Sequence, residues 1–139
     1  MARNIREVMT GSPVCLSPQT TLTEAAQQMD DHDIGDVLVV EDDQLRGLVT
    51  DRDIVVRAVA KGRDPKSTTL AEVCTADVAT VEPDEQVSRA VDIMREHAVR
   101  RLPVVEGGRP VGIVSIGDIA IEQDSTSALA EISAAPSNN

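Results

Sequence analysis

The stretch Gly47-Leu48-Val49-Thr50-Asp51-Arg52-Asp53-Ile54 decides how this chain is read. It returns sixty-five residues later as Gly112-Ile113-Val114-Ser115-Ile116-Gly117-Asp118-Ile119. In both copies an apolar run ends on a hydroxyl residue, and a carboxylate follows three positions on. A short apolar run predicts a strand, and a Ser or Thr three residues before an acid marks a helix start. The stretch is therefore a strand running directly into a helix, made twice.

Working outward, a shift of 65 aligns residues 5–54 with 70–119 without a gap, and fourteen of these fifty positions are identical. Among them are Glu7/Glu72, Val8/Val73, Pro18/Pro83, Ala25/Ala90, Met29/Met94 and His32/His97. A gapless internal match on this scale identifies a duplicated unit rather than one continuous fold. Each copy predicts a short first strand, Val14-Cys15-Leu16 or Val78-Ala79-Thr80-Val81. A helix follows, with Leu22, Ala25, Ala26 and Met29, or Val87, Ala90, Val91 and Met94, at i, i+3, i+4 and i+7. Thr21 three residues before Glu24 supplies a capping box. The second strand is Val37–Val40 or Leu102–Val105. A tight turn at 41–44 or 106–109 leads to the third, Leu45–Thr50 or Pro110–Ser115, and a second helix opens near Asp51 or Gly117.

The fold class expected is α/β, of α+β type: two βαββα motifs related by pseudo-twofold symmetry. Each has a small three-stranded sheet with helices packed on one face, since one motif alone cannot cover both faces of its sheet. The divisions expected are a first motif at 5–60, a polar linker at 61–69, a second motif at 70–122 and a flexible tail at 123–139, with 1–122 as one compact module.

At 139 residues the chain has one domain's length and buries roughly two-thirds of its unfolded surface without a disulfide or metal staple. Its 13 basic and 24 acidic residues give a net charge of −11, and acids outnumber bases on both sides of residue 65. That balance disfavours phosphate-backbone binding to nucleic acid. The absence of Phe, Tyr and Trp removes the platforms on which single-stranded bases stack. Cys15 and Cys74 stand in no zinc-like spacing. The opening residues lack the apolar core of a secretion signal, and no apolar run approaches a membrane span, so a cytoplasmic protein is expected.

Gly47–Asp53 and Gly112–Asp118 resemble the third strand and helix start of CBS motifs, the family named for cystathionine β-synthase. His97-Ala98-Val99-Arg100-Arg101-Leu102-Pro103-Val104-Val105 resembles its second strand, and Ile5-Arg6-Glu7-Val8-Met9-Thr10 its lead-in. The resemblance covers roughly residues 5–122. It implies a pair of motifs holding an adenosine-containing ligand in the cleft between them, ordinarily to regulate an attached enzyme, channel or transporter. It also implies that each site joins the helix start of one motif to the first strand of the other. One site then uses Ser115, Asp118, Ile113 and Arg100 with Val14 and Gly35. The other uses Thr50, Asp53, Leu48 and Arg101 with Val78 and Ala79.

The residues give a physical reason for such binding. A hydroxyl and a carboxylate one turn apart at a helix start lie beside free N–H groups that attract anions. The carboxylate can also accept both hydroxyls of a ribose. The same pattern serves as a plain helix cap, and the two roles are compatible. Arg100-Arg101 is the chain's one adjacent arginine pair, and the resemblance places it near ligand phosphates; the alternative is solvation or pairing with acids. The aligned Gly35 and Asp36 offer no cation, so the two sites are expected to be unequal.

His32 and His97 read as solvated helix ends rather than metal ligands. Cys15 and Cys74 read as packing residues, with a redox pair as the alternative. The helices around Ile54, Val55 and Val59 and around Ile119 are more apolar than one module needs, which predicts a homodimer; a fully internal core is the alternative. No nucleophile–base pair, phosphate loop or metal motif is present, so no catalytic residue and no metal site are named.

The function expected is a non-enzymatic sensor. It requires no cofactor and binds an adenine nucleotide or related adenosyl ligand, with AMP, ADP, ATP and S-adenosylmethionine as candidates and NAD and guanine nucleotides still open. It acts on an unidentified regulated protein without nucleic acid or membrane. The alternative is a dimeric interaction protein whose cleft is vestigial and empty.

Overall fold

The computed structural model describes residues 3–123, so the expected flexible tail lies, beyond Gln123, outside them. The architecture is mixed α/β with two small three-stranded sheets and helices, as the duplicated pattern predicts. The chain divides into two compact units. Val14–Val78 make the first; the residues up to Pro13, together with those from Ala79, make the second.

The first unit contains β2 (Cys15–Leu16), α2 (Leu22–His32), β3 (Asp36–Glu41), β4 (Gln44–Thr50), α3 (Asp51–Arg57), a 3-10 turn at Val59–Lys61 and α4 (Leu70–Val73). Its sheet runs β2-β3-β4, with β2 parallel to β3 and β3 antiparallel to β4. The second unit contains α1 (Ile5–Val8), β1 (Thr10–Gly11), α5 (Val87–His97), β5 (Arg101–Glu106), β6 (Arg109–Ser115) and α6 (Ile116–Gln123). Its sheet runs β1-β6-β5, antiparallel throughout.

Local chemistry accounts for the elements. The Thr21 hydroxyl accepts from the Glu24 N–H, and the Glu24 carboxylate accepts from the Thr21 N–H, both at 3.2 Å. Leu22, Ala25 and Met29 of α2 are buried, as are Val87, Ala90, Ile93 and Met94 of α5, whereas Ala26 of the expected apolar face is exposed. Both helices stop where a left-handed residue, Asp33 or Ala98, turns the chain back. The β3–β4 hairpin turns on left-handed Asp42-Asp43 and the β5–β6 hairpin on left-handed Gly107-Gly108, the backbone that a two-residue hairpin turn demands.

The compact units are out of step with the linear repeats, because each takes its lead-in helix from the other repeat. In the second unit Ile5 N–H donates to the Glu85 carbonyl, Arg6 N–H to Pro83 and Val87 N–H to Arg3, all at 2.9 Å. The first unit repeats these bonds with the partners exchanged: Leu70 to Thr20, Ala71 to Pro18 and Leu22 to Thr68, at 2.9 to 3.0 Å. Ile5 and Leu70 are wholly buried in their respective cores. Thr10 then pairs with Ile113, and Thr75 with Leu48, at equivalent positions. The strand at Thr10–Gly11 was not expected from the sequence; its two residues carry no strand pattern and pair only because α1 delivers them to β6.

This crossing explains two repeated glycines. A Cβ on Gly112 would lie 2.8 Å from the Thr10 carbonyl and 2.6 Å from Met9 Sδ. One on Gly47 would lie 2.8 Å from the Thr75 carbonyl and 3.0 Å from Cys74 Sγ. The lead-in needs that surface bare.

One expectation needs correction. The strand expected at 78–81 reduces to one bridge, Val81 to Val104. In the first unit Leu38 N–H donates to the Val14 carbonyl at 2.9 Å, but the equivalent Pro103 has no N–H to offer Ala79. Residues 61–69, between the two repeats, carry hydrogen bonds into the first unit: Thr68 is buried, and the Pro65 and Thr68 carbonyls accept from Thr23 and Leu22.

Candidate functional site

The hydroxyl–carboxylate pairs close the same cycle of hydrogen bonds in each unit. Thr50 ends β4, and its N–H donates to Asp53 Oδ2 at 2.9 Å while the Asp53 N–H donates to Thr50 Oγ1 at 3.1 Å. Ser115 ends β6, and its N–H donates to Asp118 Oδ2 at 2.9 Å while the Asp118 N–H donates to Ser115 Oγ at 3.1 Å. The capping role is thereby realised in both copies. One carboxylate oxygen is committed to the backbone, and the other retains its acceptor capacity. Both aspartates are partly exposed at helix starts, where the free N–H groups favour negative charge.

The residue before the second strand is fastened to each helix start through its carbonyl. Gly35 accepts from the Asp51 N–H at 3.0 Å, and Arg100 accepts from the Ile116 N–H at 2.8 Å. A Cβ on Gly35 would meet Asp51 Oδ2 at 3.1 Å, so glycine leaves room there for a carboxylate. Arg100 is exposed beside α6, and Arg101 opposes Ser115 across the β5–β6 ladder. Thus Gly35, Thr50 and Asp53 meet in the first unit, and Arg100, Arg101, Ser115 and Asp118 in the second. Leu48 pairs with Leu38 in the first sheet, and Ile113 with Pro103 in the second. Val14 packs on the first core and Ala79 on the second, while Val78 is half-buried at the end of the first unit.

Sequence reasoning missed what surrounds the two carboxylates. In the second unit Asp118 lines a shallow cavity of about 180 Å³ with Glu7, Val8 and Ile121, the first two brought by the crossed lead-in. The repeat-related residues of the first unit are Asp53, Glu72, Val73 and Val56. There the Arg57 guanidinium joins Asp53 to the lead-in. Its Nη2 lies 3.7 Å from Asp53 Oδ1, and its Nη1 donates to the Val73 carbonyl at 2.8 Å and to Thr75 Oγ1 at 3.2 Å. The i,i+4 spacing of Asp53 and Arg57 was a readable signal for this pair. Position 122, equivalent to Arg57, carries Glu.

Cys15, Leu38, Leu48 and Thr75 occupy one row across the first sheet. Three strand spacings of ~4.8 Å therefore separate Cys15 from Thr75, next to Cys74, roughly double the ~7 Å Cα limit for a disulfide. A Cys15–Cys74 pair is excluded in this fold. Cys15 is solvent-accessible, yet neighbouring atoms desolvate its thiol enough to raise its pKa, which keeps it protonated. His32 and His97 are exposed at the last positions of α2 and α5. Among the described residues no three His, Cys, Asp or Glu side chains are grouped to hold a metal, and no helix is long and apolar enough to cross a membrane.

The apolar surface is narrower than the sequence suggests. Ile119 is buried in the second core and Ile54 packs against the first, so neither presents a face to a partner. Val55, Val56 and Val59 are exposed in the first unit, and Ile116 and Ile121 in the second.

Residues 5–59 and 70–124 each match the CBS domain model. The CBS domain-containing protein YhcV of Bacillus subtilis is 39% identical over 134 residues, covering 94% of this chain and 95% of that protein. Hypoxic response protein 1 of Mycobacterium tuberculosis is 40% identical over 116 residues, covering 83% and 81%. A crystal structure of Hypoxic Response Protein I with two coordinated zinc ions superposes with a TM-score of 0.77 at 39% identity, over 86% of this chain and 98% of that one. The CBS domain pair of protein MJ0100, in complex with 5'-methylthioadenosine and S-adenosyl-L-methionine, superposes with a TM-score of 0.80 at 26% identity, over 91% and 100%.

Proposed function

The chain belongs to the CBS domain family as a tandem pair, and from that premise we propose a non-enzymatic sensor whose ligand carries an adenosyl group. The observation that carries the reading is the hydroxyl–carboxylate cycle, built twice at strand-to-helix junctions, which holds each aspartate with acceptor capacity to spare. Asp118, or its repeat-related counterpart Asp53, takes ribose hydroxyls; Thr50, Ser115 and the helix-start N–H groups favour the anionic side of the ligand. Arg100 and Arg101 add positive charge to a chain that otherwise repels anions. Leu48, Ile113, Val14, Gly35, Val78 and Ala79 supply apolar and backbone contacts to the base, in a protein without aromatics. The adenosyl complex of the MJ0100 pair supports this choice of ligand class.

No bond is made or broken in this reading: the sensor works by reversible occupancy, and it signals only if its two states bind the ligand with different free energies. The protein acts in the cytoplasm, as a homodimer, on a partner protein. Val55, Val56 and Val59 support self-association, with Val59 60% exposed.

A thermal-shift screen of AMP, ADP, ATP and S-adenosylmethionine tests the reading, followed by an extrinsic dye because the chain has no tryptophan. A true ligand at a hundredfold excess over Kd stabilises by about 2.7 kcal/mol, and Asp118→Ala lowers its affinity while leaving the fold intact. No shift with any of the four compounds sinks the proposal. The exposed valines favour a second reading, an interaction protein with an empty site. That reading expects Val59→Asp to change the mass in solution while no adenosyl compound shifts the melting temperature.

A further inference from the structure

The two helix starts share one hydrogen-bond cycle, but their surroundings differ, and Arg57 is one of the differences. Beside Asp118 lies a shallow open cavity of about 180 Å³, whose described lining residues are Glu7, Val8 and Ile121. At ~30 Å³ per water this holds about six waters, a volume on the scale of a sugar ring rather than of an ion. The equivalent position beside Asp53 holds the Arg57 guanidinium, fixed on two sides: to the carboxylate at 3.7 Å, and to the Val73 carbonyl and Thr75 hydroxyl at 2.8 and 3.2 Å. Asp53 thus has one oxygen on the Thr50 N–H and the other facing a cation. Position 122 of the second repeat carries a carboxylate and cannot reproduce this arrangement.

We propose that Arg57 is the specificity-determining residue that makes the repeats unequal: it fills the space beside Asp53, so the chain takes one ligand, with the sugar beside Asp118. Arg57 is a positioning residue. It acts by occupying volume and acceptor capacity that the ligand's hydroxyls would otherwise use, and its hydrogen bonds to Val73 and Thr75 hold it beside Asp53. This inference rests on the adenosyl-binding reading and adds to it the number and place of the bound molecules.

Titration calorimetry of the full chain with AMP, and separately with S-adenosylmethionine, tests the proposal. The wild-type chain binds one molecule. Arg57→Ala opens a second binding event, and Arg57→Ala combined with Asp53→Ala returns the count to one. Glu122→Arg, which transplants the guanidinium into the second repeat, weakens binding at least tenfold. Because Arg57→Ala also removes contacts to the lead-in, Arg57→Met retains the apolar stem and serves as the second variant; the Glu122→Arg arm depends on neither. Two equal sites in the wild type, a single site in both Arg57 variants, or unchanged affinity in Glu122→Arg overturns this inference and leaves the sensor standing. Absence of binding by both probes overturns the sensor and the inference together.

Discussion

The starts of α3 and α6 share two hydrogen bonds of matching length, 2.9 and 3.1 Å, yet the charge around them has diverged. At α3 the first helical residue is Asp51, the preceding-strand contact is Gly35, and Arg57 closes on the aspartate. At α6 the corresponding residues are Ile116 and Arg100, and in the sequence the position matching Arg57 carries Glu. Backbone geometry has been held constant where the fold depends on it, while the residue types next to the two helix starts have changed. The lead-ins teach the same lesson: their bonds to the opposite repeat are equivalent one by one, although Arg6 and Ala71 have nothing chemical in common.

The sharpest way to break the equivalence is at the buried ends of the lead-ins. Ile5→Ala and Leu70→Ala each cost about 2–5 kcal/mol by cavity formation. The loss falls on the repeat that does not encode the residue. Hydrogen exchange of Ile5→Ala accelerates in α5, β5 and β6 before α2, β3 and β4; acceleration confined to the first repeat contradicts the crossed arrangement.

Gly47→Ala and Gly112→Ala press a methyl group against a carbonyl of the crossing segment and cost about 1–3 kcal/mol each. Urea denaturation measures both. Gly112→Ala is the milder, since Met9 Sδ, at 2.6 Å, belongs to a long flexible side chain, whereas Cys74 is short. A smaller effect separates the helix ends. Ala98 holds a left-handed backbone that glycine adopts freely, so Ala98→Gly stabilises by up to about 1 kcal/mol. Asp33→Gly gains less, because aspartate tolerates that conformation, and thermal melts of the two variants rank them.

The smallest effect is in pH. The Thr69 N–H donated to the Glu72 carboxylate, with further help from the Thr69 hydroxyl and Arg63, lowers the pKa of Glu72 below the ordinary value of about 4.5. The unfolded chain therefore binds the proton first. The stabilisation is complete above that ordinary value and fades as pH falls through the lower folded one. Glu72→Gln flattens the stability profile in that acid window, and an unchanged profile removes Glu72 as its source.

The duplication, the two main helices, the hairpins and both hydroxyl–carboxylate cycles were legible because each rests on a local pattern: helical spacing, an apolar run, a cap three residues from its acid. The crossing was not legible. Ile5 and Leu70 are ordinary apolar residues, and nothing in their neighbourhood says which core receives them. The strand at Thr10–Gly11 is invisible for the same reason. Pro103, by contrast, stood in plain view; a missing N–H at that position forbids the bond that Leu38 makes, and it shortened the expected strand at 78–81. At the candidate site, the capping role of the aspartates was readable but the space around Asp118 was not, since Glu7 and Val8 reach it from more than a hundred residues away.

The crossed lead-ins also govern how the gene product can be divided. A cut at the exposed Lys61-Gly62 step would yield two fragments, each holding one full repeat and neither holding one full core. Each piece would lack its own staple while carrying the other's. Each fragment would need the other to complete either core.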